Sequence, residues 1–274
     1  FNHKELYDVF DLCLSCKACA SECPSNVDVA ALKAEFLYQY YKVNNVPFRT
    51  RMFANNVKWN KLGSLTPTFT NLVLNTKITK RIMGIAPKRS IPKLAKTTVF
   101  KWYRKNKKRL LSQPNNYGEI YLFVDEFTNY YDANIGIDTI ELLTKLGYKV
   151  NITQHEESGR SFISKGFLDK AKEIANFNVN LFKDLIRKEI PLIGIEPSAI
   201  LTFRDEYLRL ADDKISAKKI AENTFTIEEF IKKEFEKNNI LASSFSAQEK
   251  TLKIHGHCQQ KSISSIEPTF KMLS

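Results

Sequence analysis

The sequence predicts an α-helical, ferredoxin-like segment followed by a Rossmann-like α/β domain with a mostly parallel sheet. Three observations lead to this fold class: a closely spaced cysteine motif between two helix-like stretches, a proline-interrupted helical pattern after it, and a later alternation of strand-like and helix-like apolar runs. The predicted units are a helical, half-ferredoxin-like segment that contains the cysteine motif (1–45), a basic helical segment (46–117) and an α/β domain (118–274).

Composition places the chain among ordinary globular proteins. Its 274 residues are 43% hydrophobic and 26% charged, which is typical of soluble domains, and the length favours one or two of them. The chain has no apolar run of about 18 residues, the length of a transmembrane helix. Its first residues, FNHKELYDVF, do not have the pattern of a secretory signal. We therefore expect a cytoplasmic protein, with peripheral attachment at the membrane as an alternative. Phe1 at the start and the helix-like end SIEPTFKMLS favour a segment of a longer protein.

The cysteine motif lies between two predicted helices. Residues 5–12 and 27–42 have the apolar spacing of helices. Ser25 or Asn26 is the expected N-cap of the second helix, and Asp28 is favourable in its first turn. A turn between helices suits a metal cluster, because it directs backbone N–H groups at the sulfur ligands.

Four of the five cysteines fall within the stretch CLSCKACASECP. Their spacing, C-x2-C-x2-C-x3-C followed by Pro, is that of one half of a bacterial [4Fe–4S] ferredoxin. A zinc site usually takes two C-x2-C pairs about 12 or more residues apart, and thiols this close cannot join distant segments as disulfides do. We therefore predict a [4Fe–4S] cluster in a reducing compartment, with Cys13, Cys16, Cys19 and Cys23 as ligands.

Basic residues are concentrated in one segment. Residues 36–118 contain 18 Lys and Arg and no Asp or Glu, in a chain of net charge +12. Three interpretations are open: a solvated face, docking to an acidic partner domain or an anionic membrane surface, and binding of nucleic acid. Aromatic residues suited to base stacking lie among the cations, namely Trp59, Trp102 and Tyr103. No nucleic-acid-binding module accompanies them, so we expect no nucleic acid as partner.

After the turn-rich stretch SQPNNYGE, strands alternate with helices. The predicted strands are 119–127, 148–153, 190–195 and 251–258. The predicted helices are 132–146, 167–189, 197–210, 216–222 and 226–238. This alternation indicates a parallel sheet with helices on both faces, and ligands of such sheets bind at the carboxyl ends of the strands.

The ends of these strands lack the glycines that a nucleotide phosphate requires. DEFTNYYDAN and QHEESGRS follow the first two strands and contain carboxylates that repel phosphate. We therefore expect that this chain alone binds no flavin or nicotinamide cofactor and oxidises nothing. Polar residues further along are expected to hold their own loops, namely Glu196, Ser198, Arg204 and Asp205.

An ordered series of stretches resembles one protein family. CLSCKACASECPSNVDVAALKAEFLYQYY resembles the second cluster motif in the iron–sulfur part of FAD-linked 2-hydroxy-acid oxidoreductases, a group that includes the glycolate oxidase iron–sulfur subunit, D-lactate dehydrogenase and D-2-hydroxyglutarate dehydrogenase-like proteins. IAPKRSIPKLAKTTVFKWYRK resembles the basic segment of that family. VDEFTNYYDANIGIDTIELLTKLGYKV, ESGRSFISKGFLDKA, GIEPSAILTFRDEYLRL and HGHCQQK resemble its CCG domain, which heterodisulfide reductase shares.

The resemblance implies an electron-transfer module that relays electrons from FAD to an acceptor. FAD would be bound by a separate or upstream oxidase domain or subunit, and the acceptor could be linked to quinone at the membrane. The resemblance also places a first ferredoxin motif upstream, so that Cys13, Cys16 and Cys19 would share one cluster with a thiolate from that motif, while Cys23 would serve the other cluster. A single cluster held by all four cysteines, or none at all, are the alternatives.

The chain departs from the family in its CCG motif. Glu157, Ser158 and Ala199 stand where the family usually has Cys, so a thiolate site cannot form there. A lone cysteine such as Cys258 is most often a small buried residue, although His257 beside it suggests a metal site completed by Glu157. The alternative functions are therefore a heterodisulfide-reductase-like redox subunit with a site at Cys258, or a basic nucleic-acid-binding adaptor.

Overall fold

A parallel sheet organises the C-terminal part of the chain in the computed structural model, which describes residues 2–246, 248 and 250–274. Within these residues the sheet has four strands in the order β2-β1-β3-β4. The strands are β1 Glu119–Phe123, β2 Lys149–Asn151, β3 Leu192–Gly194 and β4 Thr224–Thr226. All three pairings are parallel, with Ile120 opposite Val150 and Ile193 opposite both Leu122 and Phe225. The predicted parallel sheet is confirmed.

Helices occupy most of the remaining chain. Those before the sheet are α1 Lys4–Asp11, α2 Ala18–Glu22, α3 Val29–Val43, α4 Phe48–Ala54, α5 Asn56–Gly63, α6 Pro67–Leu74, α7 Lys77–Ile82 and α8 Val99–Leu111. Those between and after the strands are α9 Glu126–Tyr130, α10 Ala133–Lys145, α11 Arg160–Ser164, α12 Leu168–Phe182, α13 Pro197–Ile200, α14 Glu206–Leu210, α15 Lys214–Glu222, α16 Ile227–Glu236, α17 Cys258–Ile263 and α18 Glu267–Leu273. In the part of the chain that the structure describes, no helix is both long and apolar enough to cross a bilayer.

Alternating residues of β1 pack into two cores, one on each face of the sheet. Ile120 and Leu122 are buried against α8, α10 and α16. Phe123 points to the other face and is buried among residues of α12 to α15. This arrangement follows from the two-residue period of a strand, since both faces of a parallel sheet must be covered. Helix α8 comes from the basic segment, yet it packs into the core that contains Ile120 and Leu122. The boundaries of the three predicted units stay a prediction.

The fourth strand is not where the sequence pattern predicted it. Residues 251–257 have no regular structure, and Cys258 begins α17. The outer position beside β3 is taken instead by β4, three residues between α15 and α16. A strand of three residues is too short for its two-residue period to stand out from adjoining helical patterns. Thr224 and Thr226 are nevertheless almost fully buried.

Other elements are shorter than predicted. The expected strand 119–127 ends at Phe123, because Asp125 accepts hydrogen bonds from the N–H groups of Phe127 and Thr128 and so begins α9. The expected helix 167–189 ends at Phe182. The expected helix 197–210 consists of α13, a 3-10 turn over Leu201–Arg204 and α14.

The N-terminal helices pack against the α/β domain through a third core. Ala34 of α3 and Ala54 of α4 lie in this core with Phe162, Ile163 and Ile174. Gly166, in the turn between α11 and α12, has φ +76 and lies directly against Leu37 of α3. The close approach places the helix that follows the cysteine motif on the α/β domain.

We predict that Gly166→Ala lowers the free energy of unfolding by about 2 kcal/mol. A Cβ at this position would lie 2.4 Å from Leu37 Cβ, and the positive φ disfavours any L side chain. Urea unfolding measures the loss. Gly118→Ala is the matched control, because Gly118 also has a positive φ but a Cβ added there would meet nothing within 4 Å. Equal losses in the two variants would contradict the close packing of α3.

Candidate metal centre

The predicted cluster ligands lie in one turn-rich segment, residues 13–28, which we call the cysteine loop. Three of its non-glycine residues have left-handed backbones: Ser15 with φ 54, Lys17 with φ 62 and Asn26 with φ 51. Such conformations cost free energy and persist only where the surroundings hold them. Asp28, and not Ser25 or Asn26, caps α3, because its Oδ1 accepts a hydrogen bond from Ala31 N at 3.0 Å.

Backbone N–H groups are directed at two of the four sulfur atoms. Ser15 N donates to Cys13 Sγ at 3.4 Å. The N–H groups of Val27 and Ser25 lower the pKa of the Cys23 thiol. Donors of this kind stabilise the thiolate, which is the form that binds metal.

The four thiols do not close on a common centre. All are free and half-buried, and among residues 2–246, 248 and 250–274 no three His, Cys, Asp or Glu side chains form a group that could hold a metal ion. The chemistry of the donor set fits an iron–sulfur cluster, since thiolates with N–H donors are its usual ligands. The assignment of Cys13, Cys16, Cys19 and Cys23 stays a prediction.

The sequence analysis did not identify Lys17, a buried lysine in the middle of the cysteine loop. Lys17 is 2% exposed, and its Nζ donates to Asp28 Oδ2 at 2.8 Å and to Asp205. Glu206 Oε1 lies 3.1 Å from the same Nζ. Burial by itself lowers the pKa of Lys17, but the three carboxylates have the larger effect, so that the pKa is raised. We call these residues and Arg160, which also pairs with Glu206, the Lys17 ion network.

Ser158 and Ala199, two positions where the resemblance implies thiols, are engaged in contacts within the chain. Ser158 donates from its N and Oγ to the two oxygens of Glu126, at 2.9 and 2.6 Å. Ala199 is fully buried in the second core. Glu196 Oε2 accepts from Ser198 Oγ at 2.5 Å and from Ala199 N at 2.7 Å, so it holds its own loop as expected.

Burial and mutual repulsion raise the pKa of carboxyl groups at these strand ends. Burial, with Glu126 adjacent, raises the pKa of Asp125 to about 7. Burial and the neighbouring Glu126 and Glu156 raise the pKa of Glu157 to about 8. One oxygen of Glu157 is buried without a hydrogen-bond partner, which agrees with a poorly solvated charged form.

His155 is held neutral by its surroundings. Its Nε2 accepts from Val124 N at 3.1 Å, and its Nδ1 lies 2.8 Å from Glu156 O, which fixes the proton on Nδ1. The ring stacks on Phe123 at 4.2 Å between centroids. Burial lowers the pKa of His155 to about 4, so this imidazole is a structural group at neutral pH.

The second predicted metal site involved Glu157, His257 and Cys258. His257 caps α17, with Nδ1 accepting from Gln259 N at 3.2 Å, and its Nε2 lies 3.4 Å from Glu196 Oε1. The three predicted ligands form no metal-binding group in the described part of the chain. A zinc site at these residues stays a prediction.

The chain is similar in sequence to part of several dehydrogenases. It is 30% identical over 223 residues to the D-2-hydroxyglutarate dehydrogenase of Haemophilus influenzae, 27% over 226 residues to that of Escherichia coli and 25% over 236 residues to that of Pseudomonas putida. Each match covers 77–78% of this chain and 22% of the relative. The chain thus spans about a fifth of the length of these curated relatives. No family model matches the chain, and no solved structure matches it.

These relatives confirm the coarser part of the expected resemblance. The chain is related to oxidoreductases of the 2-hydroxyglutarate dehydrogenase type. Neither the comparisons nor the geometry identifies an iron–sulfur role.

We predict that Glu157→Gln stabilises the protein at high pH. A carboxyl whose pKa rises from 4.5 to about 8 on folding contributes stability below pH 4.5 that is lost as the pH rises through 8. Glutamine mimics the protonated form and avoids that loss. The variant should be more stable than the parent by on the order of 2 kcal/mol at pH 8 and about equal near pH 4, by urea unfolding at both values. Glu222→Gln, at an exposed site, is the control. A pH-independent difference would contradict the raised pKa.

Proposed function

We propose that this chain is the iron–sulfur electron-transfer part of a flavin-dependent 2-hydroxy-acid dehydrogenase. The proposal rests on the cysteine loop, which brings four thiols into one short segment. Backbone N–H groups are directed at two of these thiols, those of Cys13 and Cys23. The relatives named D-2-hydroxyglutarate dehydrogenase support an oxidoreductase of this type and suggest a 2-hydroxy acid as the substrate class of the whole assembly.

In this proposal Cys13, Cys16 and Cys19 hold one [4Fe–4S] cluster together with a thiolate from another segment of the assembly, and Cys23 is a ligand of a second cluster. When bound, such clusters transfer electrons one at a time. The residues of this chain keep the thiols close, stabilise them as thiolates through N–H donors and limit their contact with water. FAD belongs to a separate or upstream domain, since no glycine-rich phosphate turn follows a strand here.

The proposed partner is the FAD-binding domain or subunit, docked on the basic segment. Helix α8 buries Val99, Tyr103 and Leu110 against the sheet and leaves its lysines exposed. The preceding helices expose apolar side chains, each more than half accessible: Trp59, Leu62, Leu65, Phe69, Leu72, Ile78 and Ile82. Apolar area among charges of one sign fits a protein surface with an apolar centre and an acidic rim.

Anaerobic reconstitution of the chain together with its flavin-binding domain or subunit tests the cluster assignment. We expect two clusters, or about eight iron atoms per assembly. Cys16→Ser should remove one cluster. Cys258→Ser should leave iron and acid-labile sulfide unchanged, because the proposed clusters do not use Cys258. Iron content that does not differ between Cys16→Ser and the parent would contradict the proposal.

Charge reversal tests the docking surface. Replacing the exposed Lys105, Lys107 and Lys108 with Glu should slow association with the flavin-binding partner by about tenfold at low salt, and less at high salt, because steering is screened. Stopped-flow association rates measure the effect. The matched control replaces three exposed lysines outside the segment with Glu: Lys188, Lys218 and Lys253. An equal effect of both triple variants would point to net charge and away from this surface.

A further inference from the structure

The side chain of Lys17 connects the cysteine loop, which ends at Asp28, to helix α14 of the α/β domain. Asp28 lies at the start of α3, while Asp205 and Glu206 lie at the start of α14 in the α/β domain. Arg209 of α14 adds a second cation, with Nη2 3.2 Å from Asp205 Oδ1. Moving the loop away would leave these carboxylates facing one another without Lys17.

Glu206 extends the contact to the carboxyl end of the sheet. Its Oε2 lies 2.7 Å from Arg160 Nη2. Arg160 follows β2, and its Nε donates to Ser198 O at 3.1 Å while its Nη2 donates to Thr202 Oγ1 at 3.1 Å. Ser198 and Thr202 follow β3. The loops after two strands are therefore joined, through Arg160 and Glu206, to the lysine of the cysteine loop.

Helix α17 holds the same loop from a second direction. Gln259 Nε2 donates to Ser15 O at 3.1 Å, and Ser262 Oγ donates to Lys17 O at 2.9 Å. Ser15 and Lys17 are the two left-handed residues on either side of Cys16. Both residues flanking this cysteine are thus fixed by groups more than 200 positions away in sequence.

We propose that the strand-end loops of the α/β domain and α17 hold the backbone on either side of Cys16 in place, so that the cysteine loop stays folded and its thiols remain available to a metal cluster. Lys17 is the positioning residue, acting through the backbone of Cys16. The proposal rests on the proposed function for the identity of the cluster. Holding the cysteine loop is a role that the strand ends can fill without the three thiols that the resemblance implies at Glu157, Ser158 and Ala199.

Thiol reactivity in the metal-free protein tests this role directly. Lys17→Met keeps the length of the side chain and removes its charge. We expect Cys16 to be alkylated about tenfold faster in this variant, by mass spectrometry of each cysteine, because a freed loop opens more often. Lys17→Arg should restore slow alkylation. Lys188→Met, the same change at an exposed site, should leave the rate unchanged.

Ser262→Ala provides a test that leaves no buried charge unpaired. It removes only the hydrogen bond to Lys17 O, and it should accelerate Cys16 alkylation in the same direction but less. Circular dichroism verifies that each variant is folded. Unchanged Cys16 alkylation in both Lys17→Met and Ser262→Ala would overturn the proposal.

The reconstituted protein separates this role from the proposed function. With the cluster loaded, Lys17→Met should shift the reduction potential and lower iron occupancy, and Lys17→Arg should recover both. If Lys17→Met accelerates Cys16 alkylation but the parent protein takes up no iron, the proposed function is overturned and the holding role stays intact. Equal iron uptake, potential and thiol reactivity in the parent, Lys17→Met and Ser262→Ala would overturn the holding role and leave the proposed function intact.

Discussion

A lysine ammonium removed from water is stable only among carboxylates, and the position of the cysteine loop depends on this requirement. Lys17 meets Asp28, Asp205 and Glu206 at once. Because these acids come from two parts of the chain, the charge is satisfied only when the helical segment sits on the α/β domain. Removing one partner of such a network typically costs about 3–5 kcal/mol. The third core, around Ala34 and Phe162, adds apolar packing to the same junction.

Several polar side chains at the carboxyl ends of the strands are paired with other groups of the chain. Glu126 is bonded to Ser158, Glu196 to its own loop, and Arg160 to Glu206. Side chains that satisfy one another in this way are poor ligands for a substrate, because binding would have to replace internal hydrogen bonds. The paired side chains therefore hold the loops that follow the strands.

Some apolar side chains of the basic segment are buried in the core, and others are exposed to solvent. Helix α8 contributes apolar residues to the core of the sheet and presents lysines to solvent. Helices α5 to α7 expose large apolar residues among cations instead. Large apolar side chains left in water are the physical reason for proposing that a partner covers this surface.

The sequence by itself determined the features that local patterns encode: the cysteine spacing, the parallel α/β alternation and a basic segment without carboxylates in residues 36–118. It missed β4, whose three residues are too few to show a period, and it placed a strand at 251–258 where α17 begins. Tertiary structure alone decided that Lys17 reaches Asp205, 188 positions away, and that Gln259 reaches Ser15. The reason is physical: periodicity and caps depend on neighbours within a few residues, whereas a buried charge is satisfied by whichever groups the packed chain brings to it.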